Sequence, residues 1–197
     1  MTYRVWVTAV LVAGMFEVAT AQTPPFTQCP AVGFDTSCAI LIVFRASGAV
    51  DALGDSTQGP YDNSEDTLLG VQNDSNHSVC KLQLSSTLAV FDFSDGDGIC
   101  TLGLSGCPFG PTGYEGPGVS FTNISSDFTS GTVNFSPCIP PGGSAYFSLE
   151  LAISPGQLVA AAGDVKAPAP ALSPLTLGVT GIALAIAGAR LLRKRRQ

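Results

Sequence analysis

Six cysteines limit what this chain can fold into, because all of them lie in one central part of the sequence. They are Cys29, Cys38, Cys80, Cys100, Cys107 and Cys138. No two of them are spaced as Cys-x-x-Cys, the spacing of redox motifs and zinc knuckles. An even number without that spacing indicates three disulfide bonds formed in an oxidising compartment, with the pairing left open.

The N-terminal segment 1–21 is typical of a secretory signal peptide. Arg4 gives a positive start, residues 5–16 are apolar, and Ala-Thr-Ala at 19–21 matches a cleavage site. The apolar stretch is shorter than the about 20 residues that a transmembrane helix needs. We therefore expect an exported protein whose mature chain begins at Gln22.

The C-terminal segment is also apolar, but it ends in a basic cluster. Residues 175–192 are interrupted only by Arg190 and would form a single transmembrane helix about 27 Å long. The tail 193–197 begins with Arg193, Lys194, Arg195 and Arg196, which predict a membrane stop and a cytoplasmic C-terminus. The alternating prolines of segment 165–174 predict a semi-rigid stalk.

Charge is distributed unevenly along the chain. Between Gln22 and Lys166, 14 acidic residues face three basic ones, a formal net charge of −11, whereas the whole chain has −6. So acidic a domain repels the phosphate backbone of DNA and RNA. We expect the membrane, and no nucleic acid, among its partners.

The segment 22–164 is typical of a β-sandwich. Its apolar stretches are short, rich in β-branched and aromatic residues, and separated by Gly, Pro, Asn and Ser clusters. These features predict an all-β fold, a disulfide-stapled β-sandwich ectodomain. The predicted strands are 38–45, 67–73, 79–84, 88–93, 119–124, 131–135 and 144–151.

Apolar and polar residues alternate in two of these strands, which predicts the side that faces the core. The residues expected to face inward are Cys80, Leu82, Leu84, Ala145, Phe147, Leu149 and Leu151. Those expected to face outward are Lys81, Gln83, Tyr146, Ser148 and Glu150. Residues 39–44 are apolar throughout, which predicts a central strand buried on both faces.

An acidic stretch, Asp-Phe-Ser-Asp-Gly-Asp-Gly, is a candidate metal site. Asp92, Asp95 and Asp97 supply the oxygen ligands that calcium prefers, although the EF-hand spacing would place Gly106 where a bidentate Glu is needed. The alternative is a solvated turn, in which Asp and Gly are also favoured. A second acidic stretch adds Asp62, Glu65 and Asp66 if the fold brings the two loops together.

Catalytic patterns are weak. Paired carboxylates hydrolyse glycosides, but nothing in the sequence marks the cleft that this chemistry needs. The single histidine, His77, lies in a polar loop without a Ser or Asp partner at a triad spacing. Neither Gly-x-Ser-x-Gly nor His-Glu-x-x-His occurs. We predict that the protein is not an enzyme.

The C-terminal segment resembles the sorting signals of bacterial exported proteins of the PEP-CTERM and IPTL-CTERM group, which exosortase-type transpeptidases process. Such signals combine a short proline-containing motif, one hydrophobic helix and a terminal arginine cluster. Here the motif position holds Pro170, Ala171, Leu172, Ser173 and Pro174, without a Pro-Glu-Pro triplet. Segments 59–73, 93–99, 112–125 and 130–150 are similar to uncharacterised exported β domains with such anchors.

Together these features favour a membrane-anchored or sorted cell-surface protein with a structural or adhesive role in the envelope or extracellular matrix. The resemblance implies an exosortase-type processing enzyme as a partner, and a surface glycan or matrix polymer is a further candidate. Calcium is the one cofactor suggested. The alternative is a surface carbohydrate-binding module or hydrolase that uses the acidic loops, with or without calcium.

Overall fold

The computed structural model describes residues 22–163, which form two four-stranded β-sheets. Two short 3₁₀ helices, Ile99–Leu102 and Pro155–Gln157, are the only helices of this part of the chain. The all-β prediction is therefore confirmed for the residues described. The strands are β1 (Ile40–Arg45), β2 (Val50–Gly54), β3 (Thr67–Asp74), β4 (Val79–Ser86), β5 (Val119–Thr122), β6 (Ser130–Ile139), β7 (Ser144–Leu149) and β8 (Leu158–Ala162).

The two sheets differ in their strand pairing. The first sheet has the order β2-β1-β3-β7, with β1 and β3 parallel and the other pairs antiparallel. The second sheet, β5-β6-β4-β8, is antiparallel throughout. Leu82 and Leu84 on β4 and Phe147 on β7 belong to one apolar core shared by the two sheets. Lys81 and Gln83 are exposed, so the alternation predicted for β4 is confirmed at these positions.

The first sheet is covered on its other face as well. Leu41 and Leu68 pack in a second apolar cluster with Phe26 and Val32, from the segment before β1, and with Tyr61. This layer explains why β1 is buried along nearly its whole length, as predicted for residues 39–44.

The same layer overturns part of the alternation predicted for β7. Ser148 and Glu150 were expected to face solvent, but they are only 0% and 5% exposed. The hydroxyl of Tyr61 contacts Ser148, and that of Tyr114 contacts Glu150. Tyr146 is half-buried because it packs against the second apolar cluster. Leu151, expected to face inward, lies beyond the end of β7 and is half-buried.

Two strands were not predicted, and one predicted strand is absent. β2 and β8 occur outside the predicted segments, at Val-Asp-Ala-Leu-Gly and Leu-Val-Ala-Ala-Ala. Residues 88–93 were predicted as a strand but form a turn. The backbone N–H of Val90 donates to the carbonyl of Leu88 at 2.9 Å, and that of Asp92 to the carbonyl of Ala89 at 3.1 Å. These local bonds replace the pairing that a strand would make.

The six cysteines form three disulfide bonds, as predicted. Cys29–Cys38 lies in the covering layer, Cys80–Cys138 joins β4 to β6, and Cys100–Cys107 closes a loop that includes the first 3₁₀ helix. Such bonds persist in oxidising, extracellular surroundings.

The predicted terminal segments lie outside the described residues. These are the signal peptide 1–21, the stalk and sorting motif 165–174, the transmembrane helix 175–192 and the basic tail 193–197. They stay predictions. Within residues 22–163, no helix has the length and apolar character needed to cross a bilayer.

Candidate cation site

The pairing of β3 with β7 places two acidic residues side by side. In this antiparallel pair Thr67 stands opposite Leu149. Asp66, just before Thr67, and Glu150, just after Leu149, therefore meet at the same end of the sheet. Both are buried.

The loop before β3 brings further carboxylates to this point. The Asp62 Oδ1 atom accepts hydrogen bonds from the backbone N–H groups of Ser64, Glu65 and Asp66 at 3.0, 3.0 and 3.1 Å. This turn fixes the loop, as an aspartate side chain commonly does. Only one of the two Asp62 carboxylate oxygens is engaged in it.

The loop that carries Asp95 and Asp97 also reaches this point. Gly96 adopts a φ of +73°, a conformation that favours glycine, and Gly98 lies against the backbone of Gly113. The loop is thereby held next to Tyr114.

The hydroxyl of Tyr114 lies among three carboxylates. Its oxygen is 3.0 Å from Asp95 Oδ1, 2.6 Å from Asp97 Oδ1 and 2.5 Å from Glu150 Oε2. A phenol has one proton to donate, so it satisfies only one of the three acceptors at a time. The other two carboxylates need a further positive group, either a proton or a cation.

Tyr61 and Asp66 form a second buried pair. The Tyr61 hydroxyl donates to Asp66 Oδ2 at 2.6 Å and lies 3.3 Å from Ser148 Oγ. Asp66 is 0% exposed, and its Oδ1 atom has no hydrogen-bond partner. A buried carboxylate oxygen without a partner is costly, which makes this atom the strongest indication of a ligand in the cluster.

The charges around these carboxylates are negative. Burial raises the pKa of Asp66 to about 8, and the negative charges of Glu150, Asp97 and Asp62 add to this effect. Burial also raises the pKa of Glu150 to about 7, helped by Asp95, Asp97 and Glu65.

The tyrosines keep their protons in these surroundings. Burial, followed by the hydrogen bond to Asp66, raises the pKa of Tyr61. Burial and the hydrogen bonds to Asp97 and Glu150 raise the pKa of Tyr114. Both hydroxyls therefore act as donors toward the carboxylates.

Basic side chains are scarce in this part of the chain. Between residues 22 and 163 the sequence contains two, Arg45 and Lys81. Arg45 contacts Asp51 at 2.8 Å and Asp74 at 3.4 Å. Lys81 is exposed on β4, in the second sheet.

Six carboxylates fall into two sets with the spacing of metal ligands. The Asp66 group consists of Asp62, Asp66 and Asp97, and the Glu150 group of Glu65, Asp95 and Glu150. Within each group, one oxygen from every residue lies within 4.8 Å of the others. Calcium binds oxygen at about 2.3–2.6 Å, so ligands on opposite sides of one ion are about 5 Å apart. Each group is thus compact enough to surround a calcium ion.

The predicted ligands are partly brought together. Asp95 and Asp97 lie in the cluster with Asp62, Glu65 and Asp66 from the second acidic stretch, whereas Asp92 belongs to neither group. Sequence reasoning missed Glu150 and Tyr114. Glu150 was expected to face solvent, and only the pairing of β3 with β7 could have placed it beside Asp66.

His77, the weak catalytic candidate, is exposed, with its Nδ1 atom 3.2 Å from Asn76 Oδ1.

Comparison with known proteins adds no functional information. No protein-family model, no curated protein and no solved structure matches the chain. The geometry of the acidic cluster is therefore the main basis for a functional inference.

Proposed function

We propose that this chain is an exported bacterial protein with a structural or adhesive role in the cell envelope or extracellular matrix, and that calcium stabilises its β domain. The observation that carries the calcium part of this proposal is Asp66 Oδ1, a buried carboxylate oxygen without a partner inside a cluster of six carboxylates. A cation bound there would satisfy this oxygen and reduce the repulsion around it.

Calcium fits the cluster better than magnesium does. The described residues include 13 acidic side chains, and six of them meet at this one place. Calcium takes six to eight oxygen ligands in flexible geometry, whereas magnesium requires a near-ideal octahedron and tends to keep its waters. A crowded set of carboxylates from three loops supports the larger ion.

The burial of the cluster carboxyls favours ion binding over glycoside hydrolysis. A glycosidase needs a carboxylic acid of raised pKa that reaches the substrate. The two cluster carboxyls of raised pKa, Asp66 and Glu150, are 0% and 5% exposed, which keeps them from a polymer chain. Clefts of about 340, 460 and 280 Å³ lie elsewhere on the described surface, near Pro155, Thr132 and Pro137.

Export and anchoring belong to the same proposal. The three disulfide bonds agree with an oxidising location. In this proposal the terminal segments act as a signal peptide, a membrane anchor and a sorting motif of the PEP-CTERM or IPTL-CTERM kind, as their sequences suggest. Mass spectrometry of the mature protein from its bacterial host should find a C-terminus near Ala171 to Pro174. A chain that ends at Gln197 would exclude sorting and leave a permanent anchor.

A second candidate function is calcium-dependent binding of a surface glycan. It is favoured by Asp95, which is exposed, and by Asp62 and Glu65, which are half-exposed, since an ion held by them would face solvent on one side. Sugar hydroxyls could complete its coordination. Retention of the protein on a glycan array in calcium, and its release by a chelator, is the expected result for this candidate. An array that stays blank in calcium would contradict it.

The calcium proposal is tested by thermal unfolding of the full-length protein in detergent. After treatment with a chelator, calcium at about 100 times its dissociation constant should stabilise the fold by about 2.7 kcal/mol. For a domain of this size that corresponds to an increase in Tm of about 5–10 °C. Magnesium at the same concentration should have a much smaller effect.

Two variants make this test specific. Asp66→Asn should abolish most of the calcium effect, whereas Asp92→Asn, in the same acidic stretch as Asp95 but outside both groups, should keep it. A wild-type Tm that calcium leaves unchanged would overturn the proposal. An equal loss in both variants would also contradict it, because the cluster would then not be the site.

A further inference from the structure

We propose that Asp35 and Asp55 hold one calcium ion at a second site, beside the cleft between loop 55–60 and residues 152–155. Neither aspartate belongs to the Asp66 group or the Glu150 group, so the inference goes beyond the proposed function. Asp55 is one of the residues that line this cleft of about 340 Å³, which offers an ion a route from solvent.

One short stretch of the loop holds both aspartates. The Asp55 Oδ1 atom accepts a hydrogen bond from the backbone N–H of Thr57 at 2.9 Å. The Asp35 Oδ1 atom accepts one from the backbone N–H of Gly59 at 3.1 Å. The backbone N–H of Asp55 also donates to the carbonyl of Ala39 at 2.9 Å, which brings the segment that starts at Asp35 next to the loop. Burial raises the pKa of Asp35 and the negative charge of Asp55 adds to the rise, so the two carboxylates are close.

The remaining side-chain oxygens in this place are buried and lack partners. Among the described residues, five buried side-chain atoms have no hydrogen-bond partner, and three of these are Asp35 Oδ2, Ser37 Oγ and Asp55 Oδ2. Their residues are only 2%, 2% and 5% exposed. Thr36, between Asp35 and Ser37, is exposed, so its two neighbours are the ones that turn inward. Buried polar atoms nearly always have a partner, and three without one in adjoining segments therefore indicate a ligand.

Charge and size favour a metal ion over an organic cation. Each carboxylate carries one negative charge when ionised, and one calcium ion neutralises both; left uncompensated, a buried charge is costly. The Oδ2 atoms are shielded from solvent, so an ammonium group in the cleft would not reach them. Calcium binds oxygen at about 2.3–2.6 Å, closer than the about 2.7–2.9 Å of a charged hydrogen bond, and completes its coordination with backbone carbonyls and waters.

The number of bound ions tests this site on the full-length protein in detergent, with calcium chloride as the probe. Native mass spectrometry should find one calcium ion fewer in Asp35→Asn and in Asp55→Asn than in wild type, and the wild-type number in Asp92→Asn. If Asp35→Asn or Asp55→Asn binds as many ions as wild type, the inference is wrong. A loss confined to Asp66→Asn would overturn this inference and leave the proposed function intact.

Thermal unfolding gives an independent measurement. In chelator at pH 7, Asp35→Asn should melt above wild type, because it keeps the Oδ1 acceptor and removes a buried negative charge. Calcium should then raise the Tm of wild type more than that of the variant. The small calcium effect left in Asp66→Asn should disappear when Asp35→Asn is added. An equal rise in Asp35→Asn and wild type would contradict the site.

The wild-type protein decides the question if the variants do not fold. Anomalous diffraction from crystals of the full-length protein grown in calcium chloride should show a peak between Asp35 and Asp55. A map without a peak at this position would overturn the inference and leave the two aspartates to share a proton instead.

Discussion

A second pair of buried carboxylates, Asp35 and Asp55, shows how a single residue can make stability depend on pH. They are 2% and 5% exposed, and each has one oxygen, Oδ2, without a hydrogen-bond partner. Their other oxygens accept from the backbone, Asp35 from Gly59 at 3.1 Å and Asp55 from Thr57 at 2.9 Å. Burial, and to a lesser extent the charge of Asp55, raises the pKa of Asp35 to about 6.

The sign of the resulting pH dependence follows from this shift. Because the folded-state pKa of Asp35 lies above its ordinary value of 3.8, folding favours the protonated form. The loss of folding free energy caused by the burial of the Asp35 carboxylate is absent below pH 3.8 and grows as the pH rises toward 6. Asp35→Asn should remove it, so the variant should gain roughly 1–3 kcal/mol relative to wild type between pH 4 and pH 7.

Urea denaturation at both pH values measures this gain. Asp92→Asn is the control, and its stability should follow the wild type. If the free energies of unfolding of Asp35→Asn and wild type differ by the same amount at pH 4 and pH 7, the burial of Asp35 is not the cause of the pH dependence.

At the scale of elements, the loop with Asp95 and Asp97 depends on close backbone packing at Gly98. A Cβ atom at this position would lie 2.6 Å from the carbonyl carbon and oxygen of Gly113 and 2.7 Å from the Tyr114 ring. Any side chain therefore pushes the loop away from Tyr114.

Gly98→Ala should cost about 1–3 kcal/mol, the usual range for overpacking, and should weaken the stabilisation by calcium. Gly156→Ala is the matched control, because a Cβ there meets nothing within 4 Å. Denaturation in calcium and in chelator measures both effects. A Gly98→Ala protein that responds to calcium as fully as wild type would contradict this role of the loop.

Which elements could be predicted depends on what covers each face. Alternation placed Leu82 and Leu84 correctly because one side of β4 faces solvent. It failed at Ser148 and Glu150, since the residues that contact them, Tyr61 and Tyr114, lie in loops far away in the sequence and no local pattern reveals them. β8 was missed because its alanines have low strand propensity.

The candidate site shows the same limit. Its acidic loops were recognisable as oxygen-rich stretches of sequence. Their meeting depends on the pairing of β3 with β7, which places Asp66 beside Glu150 and which no local pattern specifies.

At the scale of the whole molecule, the disulfide bonds differ in the length of chain that they close. Cys80–Cys138 spans a sequence separation of 58, whereas Cys100–Cys107 spans 7. A longer loop loses more entropy in the unfolded state when it is closed. The Cys80–Cys138 bond should therefore contribute more to stability.

Replacing both cysteines of the long bond with alanine should cost about 4 kcal/mol, and replacing those of the short bond about 2 kcal/mol. Urea denaturation of the two double variants in chelator compares them without any contribution from calcium. Equal losses, or a larger loss for the short bond, would contradict the entropic explanation.

The carboxylates of the cluster come from three stretches, 62–66, 95–97 and Glu150, that are far apart in the chain. An unfolded chain therefore contains no site, and all the energy of ion binding becomes folding energy. Extracellular calcium modules bind with dissociation constants of roughly 10⁻⁴–10⁻³ M, far above the concentrations to which cytosolic sensors respond. In the proposed exported protein, the chain would lack this stabilisation before export and remain easier to unfold for translocation, so crossing the membrane would itself complete the fold.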